Sequence, residues 1–336
     1  MYQSIRALLV AAILITMTGC SSIYRTTGWF AYDYSESYAM PYVMKTDDTD
    51  MGCAMSEAMT PMLLSFSELT WSPDRLASPM YMPAGACADA NATDEGLTYL
   101  RASNAQNIAE AKDARIRQKR LFALAANRQY KGYKHLVSEF GEPGETCPDM
   151  DEDEEFFWML GLVSGLQAVM SDVRGQGEVG VPKDIAMKSV RGSQCLDAKR
   201  WWGVPKAMQA AVWTMMPENA PEGVDPWQEL VVASEMGGEA GVRLAQAMEV
   251  VVADGSGNQE RLRDAIRRHA QSIKTTSPNK DYQMLDTVAT QQILAVSDRL
   301  WTEATGSRTP IGGLGTFWDD KSPAEEALDI DDLLED

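Results

Sequence analysis

Apolar residues along this chain recur at spacings of three and four, and no stretch alternates apolar with polar positions among β-branched residues. Met51, Met55, Met59 and Met62 share one helix face, within which Pro61 predicts a kink or a break. Ser72-Pro73 and the Pro-, Gly- and Ala-rich stretch 79–91 predict a connection. The segment 94–140 predicts two helices, or one long helix broken near Ala111, carrying Leu97, Leu100 and Ile108 and then Ile116, Leu121, Leu124 and Tyr130. Gly141-Glu-Pro-Gly144 ends it. Phe156, Met159, Leu160, Val163, Leu166 and Met170 mark the clearest helix, whose positive N-terminal end is complemented by the acids Asp151–Glu155. Within it Gly161 and Gly165, one turn apart, predict the close approach of another helix. After the turn Gly175–Gly180, helices are expected over 182–191, 198–216, 227–236, 239–253 and 259–273, with Gly237-Gly238 and Gly255-Ser-Gly257 as separators. A last helix is expected from Pro278 to Ala304, capped by Ser277, with Leu285, Val288, Ile293, Val296 and Leu300 inward and Gly306 as its stop. The pattern predicts an all-α fold of stacked antiparallel helix pairs.

The N-terminal residues follow a different logic. One positive charge in Met1–Arg6 precedes the apolar run Ala7–Met17, which is too short to cross a hydrocarbon layer of about 30 Å as a helix. Met17-Thr18-Gly19-Cys20 resembles a bacterial lipoprotein lipobox, with Met17 where leucine is usual. Residues 1–19 are then a signal peptide and Cys20 becomes the acylated, palmitate-type N-terminus. Two or three acyl chains at about 0.8 kcal/mol per buried methylene make a durable anchor. The alternative is an ordinary secretory signal in which Cys20 is incidental. Ser21 after the cysteine matches the sorting pattern for the outer membrane rather than the inner one.

Four further cysteines, Cys53, Cys87, Cys147 and Cys195, meet an oxidising compartment in an exported chain, so their even number predicts two disulfides. Three pairings are open, of which the pairing of sequence neighbours is favoured here. No CxxC supports a zinc or redox motif.

Composition narrows the chemistry. The chain has 336 residues, of which 45% are hydrophobic and 24% charged, which excludes collagen, global disorder and a multi-span membrane protein. A formal charge of −19 argues against nucleic acid as a partner. The stretch from Asp319 to Asp336 holds nine acids against one lysine, so residues 306–336 are expected to be an acidic, disordered tail.

Chemical motifs are few. Gly175-Gln-Gly177-Glu-Val-Gly180 fits GxGxxG, but a helix precedes it and Val181-Pro182 follows, so it reads as a turn. Asp149, Asp151 and Asp153 alternate like calcium ligands, yet Glu154 and Leu160 stand where a calcium loop needs glycine and glutamate. No GxSxG, P-loop or HExxH occurs. His135 and His269, the two histidines, lie in polar helical contexts that predict surface positions. Twenty methionines, eight of them between Met40 and Met82, fit an adaptable core or, as a rival, a Cu(I) carrier. No catalytic residue, metal site or cofactor is assigned.

Three stretches together are similar to one family. Thr60-Pro-Met-Leu-Leu-Ser-Phe-Ser-Glu-Leu69, followed by Ser72-Pro-Asp-Arg-Leu76, resembles a helix and the Pro-Asp start of the next in TRAP transporter T-component (TatT) proteins. Arg117-Gln-Lys-Arg-Leu-Phe122 through Tyr130–Leu136 resembles the family's basic, tyrosine-containing helix. Glu155-Phe-Phe-Trp-Met-Leu-Gly161, continuing to Met170, resembles its aromatic helix, and Leu285–Trp301 its closing one. The resemblance spans about residues 51–305, with Gly237-Gly238-Glu239 echoing only part of the family's Gly-Gly-Asp-Pro repeat start. It implies a tetratricopeptide-like helical domain over 51–305, preceded by a lipidated tether and lead-in segment over 20–50. It also implies a non-enzymatic lipoprotein of the outer membrane, facing the periplasm. That protein would bind a small apolar or carboxylated ligand, a TRAP substrate-binding protein or permease, or further copies of itself, to assist solute uptake. Tyr130, Trp158 and Trp201 are the candidates for the wall of its ligand cavity. The rival is a helical envelope scaffold with no small ligand.

Overall fold

A computed structural model of the protein describes residues 22–68 and 73–320. These contain eleven helices and no strand, so the fold is all-α. The first helix, α1, spans residues 22–44 and includes a π turn at Ser35–Ala39. This segment was expected to be a tether and lead-in, yet one side of it packs on the body. Gly28 lies so close to Phe66 that a Cβ would come within 2.8 Å of the ring, and Met40, Val43 and Met44 are buried. Helix α2 (Thr49–Ser65), capped by Asp48, runs back antiparallel to α1, with Gly52 near Val43. Pro61 sits inside α2 without ending it. The inward face of α2 is Gly52, Ser56, Thr60 and Leu63, and the first three are small enough to let its neighbours close in. The methionine stripe is therefore divided: Met51 and Met62 are exposed, while Met55 and Met59 pack at the core's edge.

Helix α3 (Asp74–Asn104) runs straight through the stretch 79–91 expected to be a connection. Each internal proline costs a helix about 3 kcal/mol. Burial of Leu76, Met80, Met82, Ala84, Ala88, Ala92 and Leu97, spread around most of the helix, outweighs that cost. A turn at 105–107, with Gln106 in the left-handed region, leads into α4 (Ile108–Phe140). The break falls a turn earlier than Ala111 because Asn107 accepts the Glu110 N–H and caps the new helix. Both helices are about 47–50 Å long. They lie tightly together because Gly85 and Gly96 leave space for Gln129 and Gln118 of α4.

Helix α5 (Glu152–Arg174) matches the expectation closely. Asp151 and Glu154 form a reciprocal capping box, and Phe156–Gly165 is buried throughout. It is long and apolar enough to span a bilayer, but 72% of its apolar stretch is inside the protein, as suits a core helix. Gly161 meets Leu136 and Ser78, and Gly165 meets Tyr133, so both glycines do admit neighbouring helices.

The remaining helices are α6 (Ile185–Ser193), α7 (Val204–Met215), α8 (Pro226–Ala240), α9 (Leu244–Gly255), α10 (Gln259–Thr275) and α11 (Gln283–Thr305). Gly237-Gly238 lies inside α8 rather than between helices, and the turn uses Gly241 at φ +69° instead. Ser277 does not cap the last helix. The segment 277–282 is held across the α8–α9 turn, where the Asn279 N–H donates to the Gly241 carbonyl at 3.0 Å, and α11 starts only at Gln283.

Successive helices pack on one another, and α11 also lies against α1, α2 and α3. The row therefore closes on itself: Gln291 of α11 donates to Thr49 of α2 at 2.7 Å, across 242 residues of sequence. Residues 306–320 are not the loose start of an acidic tail. Phe317 is buried under Arg263 and Arg267 of α10, Asp319 and Asp320 pair with those arginines, and the Trp301 indole donates to the Thr316 carbonyl. Two aromatic residues among the acids explain the difference. Residues 1–21, which include Cys20, and 321–336 lie outside the described residues.

Candidate functional site

The four cysteines come together in two pairs. Cys53 of α2 is bonded to Cys87 of α3, and Cys147 before α5 to Cys195 after α6, with Cα separations of 6.1 and 5.4 Å. These are the neighbour pairings, and each closes a loop long enough to be worth about 4 kcal/mol in the chain-entropy model.

The three cavity candidates are placed differently from one another. Trp158 is 1% exposed, donates to the Gly192 carbonyl at 2.9 Å and meets Phe140 edge to face. Trp201 is 2% exposed and donates to the Glu155 carboxylate at 2.8 Å. Tyr130 is half-buried under the Lys134 ammonium, 4.8 Å from its ring centre. Among the described residues no ring contact joins these three. Trp201 instead belongs to an aromatic hub with Phe156, Trp202 and Tyr282, whose centroids lie 4.6–6.5 Å apart. The hub ties α5 to the start of α11. Trp202 holds a left-handed backbone at φ 53°, and Gly203 after it cannot carry a side chain, since a Cβ would sit 2.2 Å from the Ala233 carbonyl oxygen.

Neither histidine stands on the open surface. His269 is fully buried, with Nδ1 at 2.7 Å from Gln246 Oε1. Burial first, and then the Arg243 charge, lower its pKa to about 3, so the ring is neutral. Beside it Arg243, also fully buried, pairs with Asp286 at 2.7 Å and donates to Ser272 and to the Thr276 carbonyl. His135 contacts Asp74 at 2.5 Å and stacks on Tyr81, and the Ser138 hydroxyl donates to the same Asp74 rather than to the imidazole. A histidine-activated serine needs the opposite arrangement. Near Asp74, Arg75 bridges Glu36 of α1 and Glu154 of α5 at 3.0 and 3.2 Å. Among the described residues no cluster of three or more His, Cys, Asp or Glu side chains is arranged to hold a metal.

The α3–α4 turn forms an open groove of about 540 Å³. Tyr99, Ile108, Ala111 and Ile116 line it, with Ser103 and Gln106 as polar groups and Lys112 and Arg115 as cations. Arg115 is fixed by Gln118 and by the Tyr99 ring, 5.3 Å from its guanidinium. The groove is shallow and open to solvent, with Ile108 66% and Ile116 48% exposed and only Ala111 buried, and it sets two cations beside a short apolar wall. Tyr99, Ser103, Gln106, Lys112 and Arg115 were not singled out from sequence, because they span a turn and match no motif, while Ile108 and Ile116, read there as apolar helix positions, stand exposed in the groove. A second unforeseen feature is the outward side of α1, where Ile23, Tyr24, Trp29, Phe30, Tyr34, Tyr38 and Tyr42 are all exposed. Its signal was present in the four-residue spacing of Phe30, Tyr34, Tyr38 and Tyr42.

Comparison of the chain with family models, with curated proteins and with solved structures finds no match.

Proposed function

We propose that this protein is a non-enzymatic, lipid-anchored outer-membrane lipoprotein facing the periplasm, of the TRAP T-component type. It holds a small carboxylated organic solute and presents it to a TRAP substrate-binding protein or permease. The observation that carries this reading is the groove at the α3–α4 turn, where Lys112 and Arg115 stand beside Tyr99, Ile108 and Ile116. Two cations on an apolar wall suit a carboxylate with a short hydrocarbon body. The two disulfides suit an exported body.

The test is native mass spectrometry of the full chain, taken from membranes in mild detergent and offered a panel of small organic acids. A bound acid, lost in an Arg115→Glu, Lys112→Glu variant, supports the reading. A clean apo mass across the panel overturns the solute role. The envelope-scaffold reading would then take its place, favoured by the burial of Trp158 and Trp201 in a solid core. Capture of the protein's neighbours would be the next step. The same spectrum would reveal copper as the methionine-rich rival requires.

A further inference from the structure

We infer that the aromatic side of α1 is a membrane-docking surface, seated in the headgroup layer of the leaflet that holds the lipid anchor. The inference rests on the acylation of Cys20 proposed above and adds a second, non-covalent contact to it.

Helix α1 is apolar on two opposite sides. Its inward side packs on the body through Gly28, Met40, Val43 and Met44. The outward side exposes Ile23 (65%), Phe30, Tyr34, Tyr38 (65%) and Tyr42 (78%), with Trp29 edge-on to Phe30 and the Tyr34 and Tyr38 rings stacked at 5.9 Å. An exposed apolar strip this long calls for a partner. The π turn aligns it. A regular α-helix would carry Tyr42 about 120° around the axis from Phe30, and the extra residue taken up at Ser35–Ala39 cuts this to about 20°. From Ile23 to Tyr42 the strip runs for about 29 Å.

Three features favour a lipid surface as the occupant. The first is reach. Cys20 precedes the described helix by two residues, which can span no more than about 7 Å, so an acylated Cys20 holds the start of α1 at the membrane. The second is residue type. Tyrosine and tryptophan join an apolar ring to a polar tip and concentrate at the boundary between headgroup and hydrocarbon. The third is charge. Arg25 and Asp33, exposed along α1, cancel, and Glu36 is turned inward to Arg75. A neutral strip on a protein of net charge −19 fits a zwitterionic leaflet better than an anionic one.

The test uses the full chain reconstituted in phosphatidylcholine vesicles with plain acyl chains or chains brominated at the sixth and seventh carbons. The Trp29 signal is the difference in emission between wild type and Trp29→Phe. Docking at the headgroup boundary predicts that bromine quenches that signal. It also predicts that a Phe30→Ser, Tyr34→Ser, Tyr38→Ser, Tyr42→Ser variant loses the quenching while keeping wild-type circular dichroism. Equal emission in both lipids, with acylated Cys20 seen by intact mass, overturns the inference. Cross-linking from position 38 to a second copy or to another protein would overturn it too. If the mass shows no acyl group on Cys20, the anchor reading fails by itself. Quenching of the unacylated chain would still support docking, and its absence would refute it.

Discussion

The region from α1 to α6 and the region from α8 to α11 are held together by different means. The first is cross-linked twice, Cys53 to Cys87 and Cys147 to Cys195, and its helices meet through glycines such as Gly85, Gly132 and Gly161. The second has no disulfide among its described residues. At its centre lies a buried ion pair, Arg243 with Asp286, wrapped by Ser272, Gln246 and His269. A covalent link acts mainly by restricting the unfolded chain and is indifferent to pH. A buried charge network instead demands that every partner stay in place, because an orphaned charge is expensive in a dry interior. Stability in the two regions should therefore respond to different insults.

The largest effect is expected from removing both disulfides by reduction. Each loss should be worth about 4 kcal/mol. Hydrogen exchange should accelerate in α2–α6 well before α8–α11, and equal acceleration in both would mean a single cooperative unit and end the distinction. Asp286→Ala should come next, at about 3 to 5 kcal/mol in denaturant unfolding, because Arg243 is left charged and buried. Replacing Arg243 and Asp286 together by Met and Leu should cost much less, and an equal loss would show that packing rather than charge matters at that site. Gly161→Ala should cost about 1 to 3 kcal/mol, since its Cβ would fall 2.6 Å from Leu136 and 2.7 Å from Ser78.

Acid gives the finest discrimination, because the two regions carry shifts of opposite sign. The folded state holds His269 neutral with a pKa near 3, whereas the unfolded chain takes up a proton near 6.5. Stability of the second region should thus fall as pH drops from 6.5 towards 3, by up to about 1.4 kcal/mol per pH unit. Glu36 in the first region behaves oppositely. Burial, and then Asp153, Asp33 and Asp151, raise its pKa despite the opposing charge of Arg75. It binds a proton more readily folded than unfolded, so acidification through its raised value down to the ordinary carboxylate range adds stability. Exchange rates measured at neutral pH and near pH 5 should diverge between α1 and α10. A His269→Gln variant should flatten the profile of α9–α11 alone.

What could be read from the sequence depended on whether local and tertiary preferences agreed. At α5 they do: acids at its start, a capping Asp151 and a broad apolar face all point to the same helix. At α3 they conflict, because Pro79 and Pro83 signal a break that burial of Leu76, Met80 and Met82 overrides. At α1 the four-residue spacing of Phe30, Tyr34, Tyr38 and Tyr42 carried the helical period, but apolar residues on both sides of the helix and a π turn hid which side faces the body. Gly237-Gly238 looked like punctuation but serves close packing, with Gly237 against the Val242 and Trp202 carbonyls. The buried Arg243 had no sequence signal, since a lone arginine ordinarily faces water. The groove's Tyr99, Lys112 and Arg115 are near in sequence, but only the turn's geometry gathers them.

The return of α11 onto α1, α2 and α3 has a consequence for the order of events during biogenesis. The Gln291–Thr49 and Arg308–Asp94 contacts join residues 242 and 214 apart. Such links raise the contact order, and their loop-closure entropy must be overcome before they repay it. A chain made from its N-terminus has the α3–α4 hairpin and all four paired cysteines in hand before α11 exists to close the row. Until then the parts of α1 and α2 that α11 covers stay open, although α2 already rests on α3. Apolar surface left open in the interval before closure is prone to aggregation.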